Sequence, residues 1–168
     1  MSKRELKSYL HDLSKEQLQE QIIDLYTRFK PVKEYYDFAF NPKEEKLTQQ
    51  SRVKIAKEYF PVNGRRAKMR RSVAQKIIRH FRLLGVDAPI VADTMLYNIE
   101  IAQTYSSQKE IKQASFYASM LKSYQEAVSY INENGLKNEF DNRLEKIAQE
   151  AEEQNWINCG AFGAVEKS

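Results

Sequence analysis

Residues 88–105 read APIVADTMLYNIEIAQTY, and apolar side chains would cover most of the circumference of a helix with this sequence. Asp87 precedes the segment as a helix-capping residue, and Pro89 falls in the first turn, where proline is tolerated. The apolar positions are Ile90, Val91, Met95, Leu96, Ile99, Ile101 and Ala102. The segment therefore predicts a central helix that is buried on most of its surface.

The segments on either side repeat the three-to-four spacing of apolar residues, and the period-two alternation of strands is absent. Only five glycines and four prolines interrupt the chain. The loops that they indicate are short, which favours antiparallel packing of successive helices. We therefore expect an all-α fold, a compact bundle of six or seven mostly antiparallel helices.

A chain of 168 residues suits one domain, and we assign residues 1–155 to a single helical domain. Ser14 and Gln17 have the spacing of a capping box and begin the second predicted helix. Residues 35–40 are rich in aromatic side chains and are predicted to form a turn. The tail, residues 156–168, is rich in small residues and is expected to be loose.

The charge of the chain is unevenly distributed, although its formal total is only +4. Residues 52–82 contain eleven Lys or Arg and a single acidic residue, Glu58. The remainder carries sixteen basic and twenty-two acidic residues, so the basic block lies in an otherwise acidic chain. Only this block argues for a polyanionic partner.

The basic block contains PVNGRRAKMRRS at residues 61–72, which runs into the start of a helix predicted over about 65–84. Its first two turns would hold five cations, although helix N-termini favour acidic residues. A local rule of this kind is often broken at a functional site, where a ligand compensates. The predicted anion-binding residues are Arg65, Arg66, Lys68, Arg70, Arg71, Lys76, Arg79 and Arg82.

Three kinds of function fit this pattern of charge. The favoured function is non-enzymatic binding of nucleic acid, in which a row of cations follows backbone phosphates. Strong sequence specificity is not expected, because Gln75 is the one obvious base-reading side chain of the helix. The first alternative is an interaction or assembly module that meets an acidic protein. The second is an enzyme acting on a small phosphorylated metabolite, with Arg65, Arg66 and Arg70 as a clamp.

A purely structural interpretation remains open beside these functions, because a run of charges is usually a solvated face paired with acids elsewhere in the bundle. Asp93 and Glu100 share one face of the central helix and are candidates for acid–base or metal chemistry. Pairing with arginines of the basic helix is the alternative for both. The two histidines, His11 and His80, lack metal-ligand spacing, and no nucleotide-binding or nucleophile motif is present. We therefore assign no catalytic residue, metal or cofactor.

The compartment is predicted from what the chain contains. Cys159 is the single cysteine, which favours a reducing compartment. No apolar run approaches the roughly 20 residues of a membrane span, and the N-terminus is unlike a signal peptide. A cytoplasmic protein without a membrane partner is expected. The acidic last helix, over about 137–154, has an apolar face that closes the bundle or pairs with a second copy, so a homo-oligomer stays open.

Three further segments carry a resemblance: EYYDFAFNPK at residues 34–43, YFPVNGRR at 59–66 and ADTMLYNIE at 92–100. They resemble an uncharacterised bacterial family, a domain of unknown function, over residues 2 to about 155. The resemblance implies a cytoplasmic bacterial helical protein. It implies no activity and supplies no site residues.

Overall fold

The computed structural model of the chain describes residues 1–166, in which α-helix is the dominant element and no strand occurs. The helices are α1 (Lys3–His11), α2 (Lys15–Arg28), α3 (Lys30–Phe40), α4 (Glu44–Tyr59), α5 (Arg71–Leu84), α6 (Ala88–Ser106), α7 (Ala114–Glu133), α8 (Lys137–Glu153) and α9 (Cys159–Glu166). The predicted all-α class is confirmed. The predicted count of six or seven is wrong, because the described residues form nine helices. The two additional helices are α3 and α9.

Helix α3 replaces the turn predicted over residues 35–40. The chain leaves helical geometry at Phe29, which has φ −115° and ψ 107°, and Pro31 then lies in the first turn of α3. Proline is tolerated there because the first N–H groups of a helix have no intrahelical partner in any case. Tyr36 stacks on Phe40 with ring centroids 6.3 Å apart, so the aromatic residues fit one helix.

The chain divides into two compact units, Met1–Lys43 and Glu44–Ser168. The single domain expected over residues 1–155 stays a prediction. The first unit contains α1, α2 and α3, and none of these helices has a buried residue. Its helix starts are nevertheless well formed. The capping box predicted at Ser14 and Gln17 is confirmed, and Ser2 and Glu5 form a second one.

The second unit holds the hydrophobic core, and α6 supplies its centre. Val91, Leu96, Ile99 and Ala102 are completely buried, as the sequence predicted for this helix. Helices α4, α5, α7 and α8 all pack against α6. A helix that is apolar around most of its surface is stable only when neighbours cover it on several sides, which is what these four helices do.

Contacts along α4 and α6 fix their relative direction. Glu44 accepts a hydrogen bond from the backbone N–H of Asp87 at one end, and Arg52 contacts Asp93 further along. The two helices therefore run in the same direction. Because α5 connects the end of α4 to the start of α6, it runs the opposite way. The loop at residues 61–70 consequently lies at the end of the second unit where α4 and α6 finish.

The C-terminal segment differs from the loose tail that was expected over residues 156–168. Trp156 is 2% exposed and Phe162 is completely buried, and α9 packs against α7 and α8. The two rings are 5.7 Å apart, and Phe162 lies 5.0 Å from the ring of Tyr124. Two aromatic side chains therefore anchor this segment. Residues 167 and 168 lie outside the described part of the chain.

Among the helices of residues 1–166, none combines the length and the apolar character that crossing a membrane requires.

Candidate anion-binding surface

The basic segment starts as a loop and not as a helix. The prediction of a helix from about residue 65 is wrong, because α5 begins at Arg71. Asn63, Gly64 and Met69 have left-handed backbone conformations, with φ of 62°, 66° and 50°, which a right-handed helix does not accommodate. We call residues 61–70 the basic loop. Its cations Arg65, Arg66 and Lys68 therefore precede the helix that was expected to carry them.

The basic loop is fastened to the end of α4. The backbone N–H groups of Lys68 and Met69 both donate to the carbonyl oxygen of Glu58, at 2.9 and 3.0 Å. Arg70 binds the Glu58 carboxylate in a forked geometry, with Nε–Oε2 at 2.8 Å and Nη2–Oε1 at 2.7 Å. These bonds from Arg70 hold the pKa of Glu58 below its ordinary value. Arg70 is thus occupied in positioning the loop.

Arg71 is also occupied within the protein. It donates from Nε to the Ser123 hydroxyl at 2.8 Å and from Nη2 to the Glu126 carboxylate at 2.6 Å. Gln75 donates to the same carboxylate oxygen at 2.7 Å. Partial burial opposes ionisation of Glu126, but the hydrogen bonds from Gln75 and Arg71 outweigh it and lower its pKa. The cation in the first turn of α5 is therefore compensated by α7.

The remaining cations of α5 have different surroundings. The guanidinium of Arg82 lies 5.4 Å from the centre of the Tyr130 ring. Arg79 and Arg82 line a groove of about 520 Å³ together with Glu126 and Glu133, so acids face them. Lys76 is exposed and outside that groove. The eight predicted cations therefore do not form one uniform row along the helix.

The basic loop carries two exposed arginines. Arg65 and Arg66 are exposed, and neither makes an ion pair or a side-chain hydrogen bond with any residue of the described range 1–166. They border a shallow cavity of about 180 Å³. Its lining residues are Lys57, Glu58, Pro61, Val62, Arg65, Arg66, Lys68 and Arg70. Five of these eight side chains are cationic, and the one carboxylate among them, Glu58, is held by Arg70.

Asp93 and Glu100 take part in an ion-pair network. Arg143 of α8 lies between them, with Nη1–Asp93 Oδ1 at 2.7 Å and Nη2–Glu100 Oε2 at 2.8 Å. Arg52 of α4 binds the second oxygen of Asp93 at 2.7 Å. The hydrogen bonds to Glu100 and Asp93 raise the pKa of Arg143 despite its partial burial. Pairing with arginine is as expected, but the arginines come from α4 and α8 and not from the basic helix.

No group of three or more His, Cys, Asp or Glu side chains within residues 1–166 is arranged to hold a metal ion. His80 does not line the cavity beside the basic loop. Of the clamp suggested for a phosphorylated metabolite, Arg70 already binds Glu58, the one carboxylate among the residues that line the cavity.

Aromatic residues next to the basic loop were not selected from the sequence. Phe60 is 37% exposed, and its ring meets that of Tyr105 nearly edge to face, with centroids 5.6 Å apart. The ammonium group of Lys109 lies 5.5 Å from the centre of the Tyr105 ring. The signal in the sequence was the run Phe60-Pro61-Val62 directly before the cations. Lys109 was not detectable, because its place depends on the packing of α6 against α4.

The structure thus defines an all-helical protein over residues 1–166, with Arg65 and Arg66 exposed in one loop of its larger unit. The chain belongs to a family described as a family of unknown function, DUF6155, whose profile matches residues 1–168. The resemblance to an uncharacterised family is confirmed. No curated protein matches the chain. No solved structure matches it either.

Proposed function

We propose that this protein binds nucleic acid without strong sequence specificity, through Arg65, Arg66 and Lys68 of the basic loop, with Lys76 of α5 as a further phosphate contact. The observation that carries the proposal is that Arg65 and Arg66 are exposed and form no ion pair within residues 1–166. No Asp or Glu occurs between Tyr59 and Val86, and the only carboxylate at the loop cavity is bound by Arg70.

The arginines proposed to bind phosphate have no carboxylate partner within residues 1–166. Arg70 and Arg71 already have carboxylate partners, so a phosphate would have to displace Glu58 or Glu126 to bind them. Arg65 and Arg66 need no such exchange. A phosphate that contacts them releases the counterions condensed on the nucleic acid, which is the main source of nonspecific affinity.

Weak sequence preference follows from the polar side chains near these cations. Gln75, the base-reading candidate of α5, donates its amide to Glu126. Phosphate contacts position a protein on nucleic acid but carry no sequence information, and specificity comes from side chains that reach base edges. A surface made of Arg65, Arg66 and Lys68 therefore favours affinity for the backbone over recognition of bases.

The test is fluorescence polarisation with labelled single-stranded DNA, duplex DNA and RNA over a range of salt concentrations. The variant R65Q/R66Q removes two unpaired cations, and K137Q/K146Q removes two exposed lysines of α8 as a matched control. We expect the slope of log affinity against log salt to fall by about 1.4 to 1.8 in R65Q/R66Q, since each phosphate contact contributes about 0.7 to 0.9. The control should retain the wild-type slope.

Two results would contradict the proposal. One is the absence of binding to every oligonucleotide at low salt, which would leave an acidic protein as the partner of the same cations. The other is an equal loss of affinity in R65Q/R66Q and K137Q/K146Q, which would mean that net charge and not the basic loop determines binding. Circular dichroism of each variant verifies that the helices are retained.

A further inference from the structure

Exposed apolar side chains occur at the start of the basic loop and directly before it. Val62 is 59% exposed and Phe60 is 37% exposed, and Val62 lines the same cavity as Arg65 and Arg66. Tyr59, the preceding residue, is 1% exposed and belongs to the core. The side chains therefore change from buried at Tyr59 to exposed at Phe60 and Val62, just before the cations of the basic loop.

A second aromatic residue, Tyr105 of α6, lies beside Phe60, and Lys109, which follows α6, lies beside Tyr105. The centroid of the Tyr105 ring lies 5.6 Å from that of Phe60 and 6.1 Å from that of Tyr59. Lys109 lies over the Tyr105 ring at 5.5 Å, a distance at which an ammonium group is attracted to an aromatic face. Phe60 and Tyr105 thus form an aromatic pair, with Lys109 at the Tyr105 ring and the basic loop directly after Phe60 in the sequence.

Isolated exposed apolar residues are common on soluble proteins and need no explanation. The set here is different in its position, because three consecutive apolar residues, Phe60, Pro61 and Val62, lie between Lys57 and Arg65, and no acid follows Glu58 before Asp87. Cations that only bind phosphates gain nothing from apolar neighbours. A ligand with both a phosphate backbone and exposed ring faces makes use of both.

We propose that the basic loop binds single-stranded nucleic acid, with Phe60 as the side chain on which an unpaired base stacks and Arg65 and Arg66 as the contacts to adjacent phosphates. This inference rests on the proposed function above. In a duplex the faces of the bases are stacked on one another, whereas a single strand offers them to aromatic side chains. Alternation of aromatic and cationic groups is the usual composition of single-strand sites.

An anionic lipid surface is the other partner with negative charge and an apolar phase. Proteins that lie on membranes generally insert the apolar face of an amphipathic helix several ångströms deep. The exposed apolar part here consists of Phe60 and Val62 on a non-helical turn. This small area favours contact with one or two bases, and vesicle binding becomes an outcome of the test.

The first experiment uses the unaltered full chain and three labelled probes at one salt concentration. The probes are an oligothymidylate of about 12 nucleotides, a length within the usual range of single-strand sites, an abasic strand of equal length, and the corresponding duplex. The abasic strand keeps the phosphates and removes the bases. We expect the oligothymidylate to bind about five-fold or more tightly than either other probe, which is the lower range for stacking of one base.

The second experiment separates stacking from charge. In F60L the side chain stays apolar but loses its ring, so the preference for oligothymidylate over the abasic strand should disappear while the salt slope is unchanged. In R65Q/R66Q both strands should weaken equally, and the slope should fall by about 1.4 for the single strand. L83A, which trims an exposed apolar residue of α5, is the control and should keep the preference.

Each outcome points to one conclusion. Equal affinity for the three probes, or a preference that survives in F60L, overturns the single-strand inference and leaves the proposed function intact. Binding to none of the probes at low salt overturns both. Sedimentation with phosphatidylserine vesicles in the absence of oligonucleotide binding overturns both and identifies a lipid surface. The probe comparison on the unaltered chain holds even if F60L is poorly folded.

Discussion

Arg143 forms ion pairs with both carboxylates of α6 that were candidates for acid–base chemistry. Asp93 and Glu100 lie seven residues apart on α6, and the guanidinium between them satisfies both. The sequence indicates the two carboxylates but not their partners. Arg52 is 41 residues from Asp93, and Arg143 is 50 residues from Asp93 and 43 from Glu100. Contacts at such separations depend on how α4 and α8 pack against α6.

We expect R143M to destabilise the protein by about 3 kcal/mol, since breaking a buried ion pair leaves uncompensated charge. The value is at the lower end of the usual range because these side chains keep partial contact with water. Urea unfolding followed by circular dichroism measures the change. The triple variant R143M/D93N/E100Q should recover part of the loss. A single variant as stable as the wild type would show that the network contributes nothing.

Glu58 gives a prediction about pH. Because Arg70 lowers the pKa of Glu58 in the folded protein, this pair contributes stability above the ordinary glutamate pKa. The contribution is lost as the pH falls through the lowered folded pKa. We expect E58Q to melt at a lower temperature than the wild type at pH 7, and the difference to close as the solution is acidified. A difference that persists at the most acidic pH would exclude the ion pair as its cause.

Helix prediction succeeded where local signals agree with packing and failed where they do not. Helix α6 was predicted from its apolar residues, and the end of α5 was predicted near residue 84, where Leu84 is its last residue. The start of α5 was misplaced by six residues, because Met69 adopts a left-handed conformation that its own side chain does not suggest. The bonds to the Glu58 carbonyl that stabilise this conformation come from the fold.

The C-terminal helix α9 provides a second case in which packing, and not a local signal in the sequence, determines the structure. Its Phe162 is completely buried, so F162A should cost about 3 to 5 kcal/mol, the usual range for removing a phenylalanine from a core. Ile157, which is 68% exposed, serves as the matched position, and I157A should be nearly neutral. Chemical denaturation of both variants is the measurement. If F162A were as stable as the wild type, the result would support the original expectation of a loose C-terminal tail.

At the scale of the whole chain, the two units differ in what stabilises them. Every buried apolar residue within the described range lies between Ile55 and Phe162, and the helices of Met1–Lys43 bury none. The first unit instead exposes large apolar side chains, including Ile23 at 64% and Phe40 at 85%. The sequence showed amphipathic helices in both units but not which of them obtain a core.

Hydrogen exchange on the full chain should report this difference. Short helices without tertiary burial are marginal in water, so the amides of α1, α2 and α3 are expected to exchange close to the rate of local fraying. Amides of α6 should exchange only through global unfolding and therefore be protected by several orders of magnitude more. Mass spectrometry of peptide fragments resolves the two sets. Equal protection in both units would show that the first unit is stabilised as strongly as the second.

The burial of Trp156 also determines what can be observed in solution without a label. It is the single tryptophan of the chain, and it is enclosed by Phe116, Tyr117 and Phe162. Its emission should therefore lie at short wavelength and shift to the red only when the C-terminal packing opens. Intrinsic fluorescence is thus a reporter of the core that is spectrally separate from a labelled oligonucleotide, so folding and binding can be followed in one cuvette.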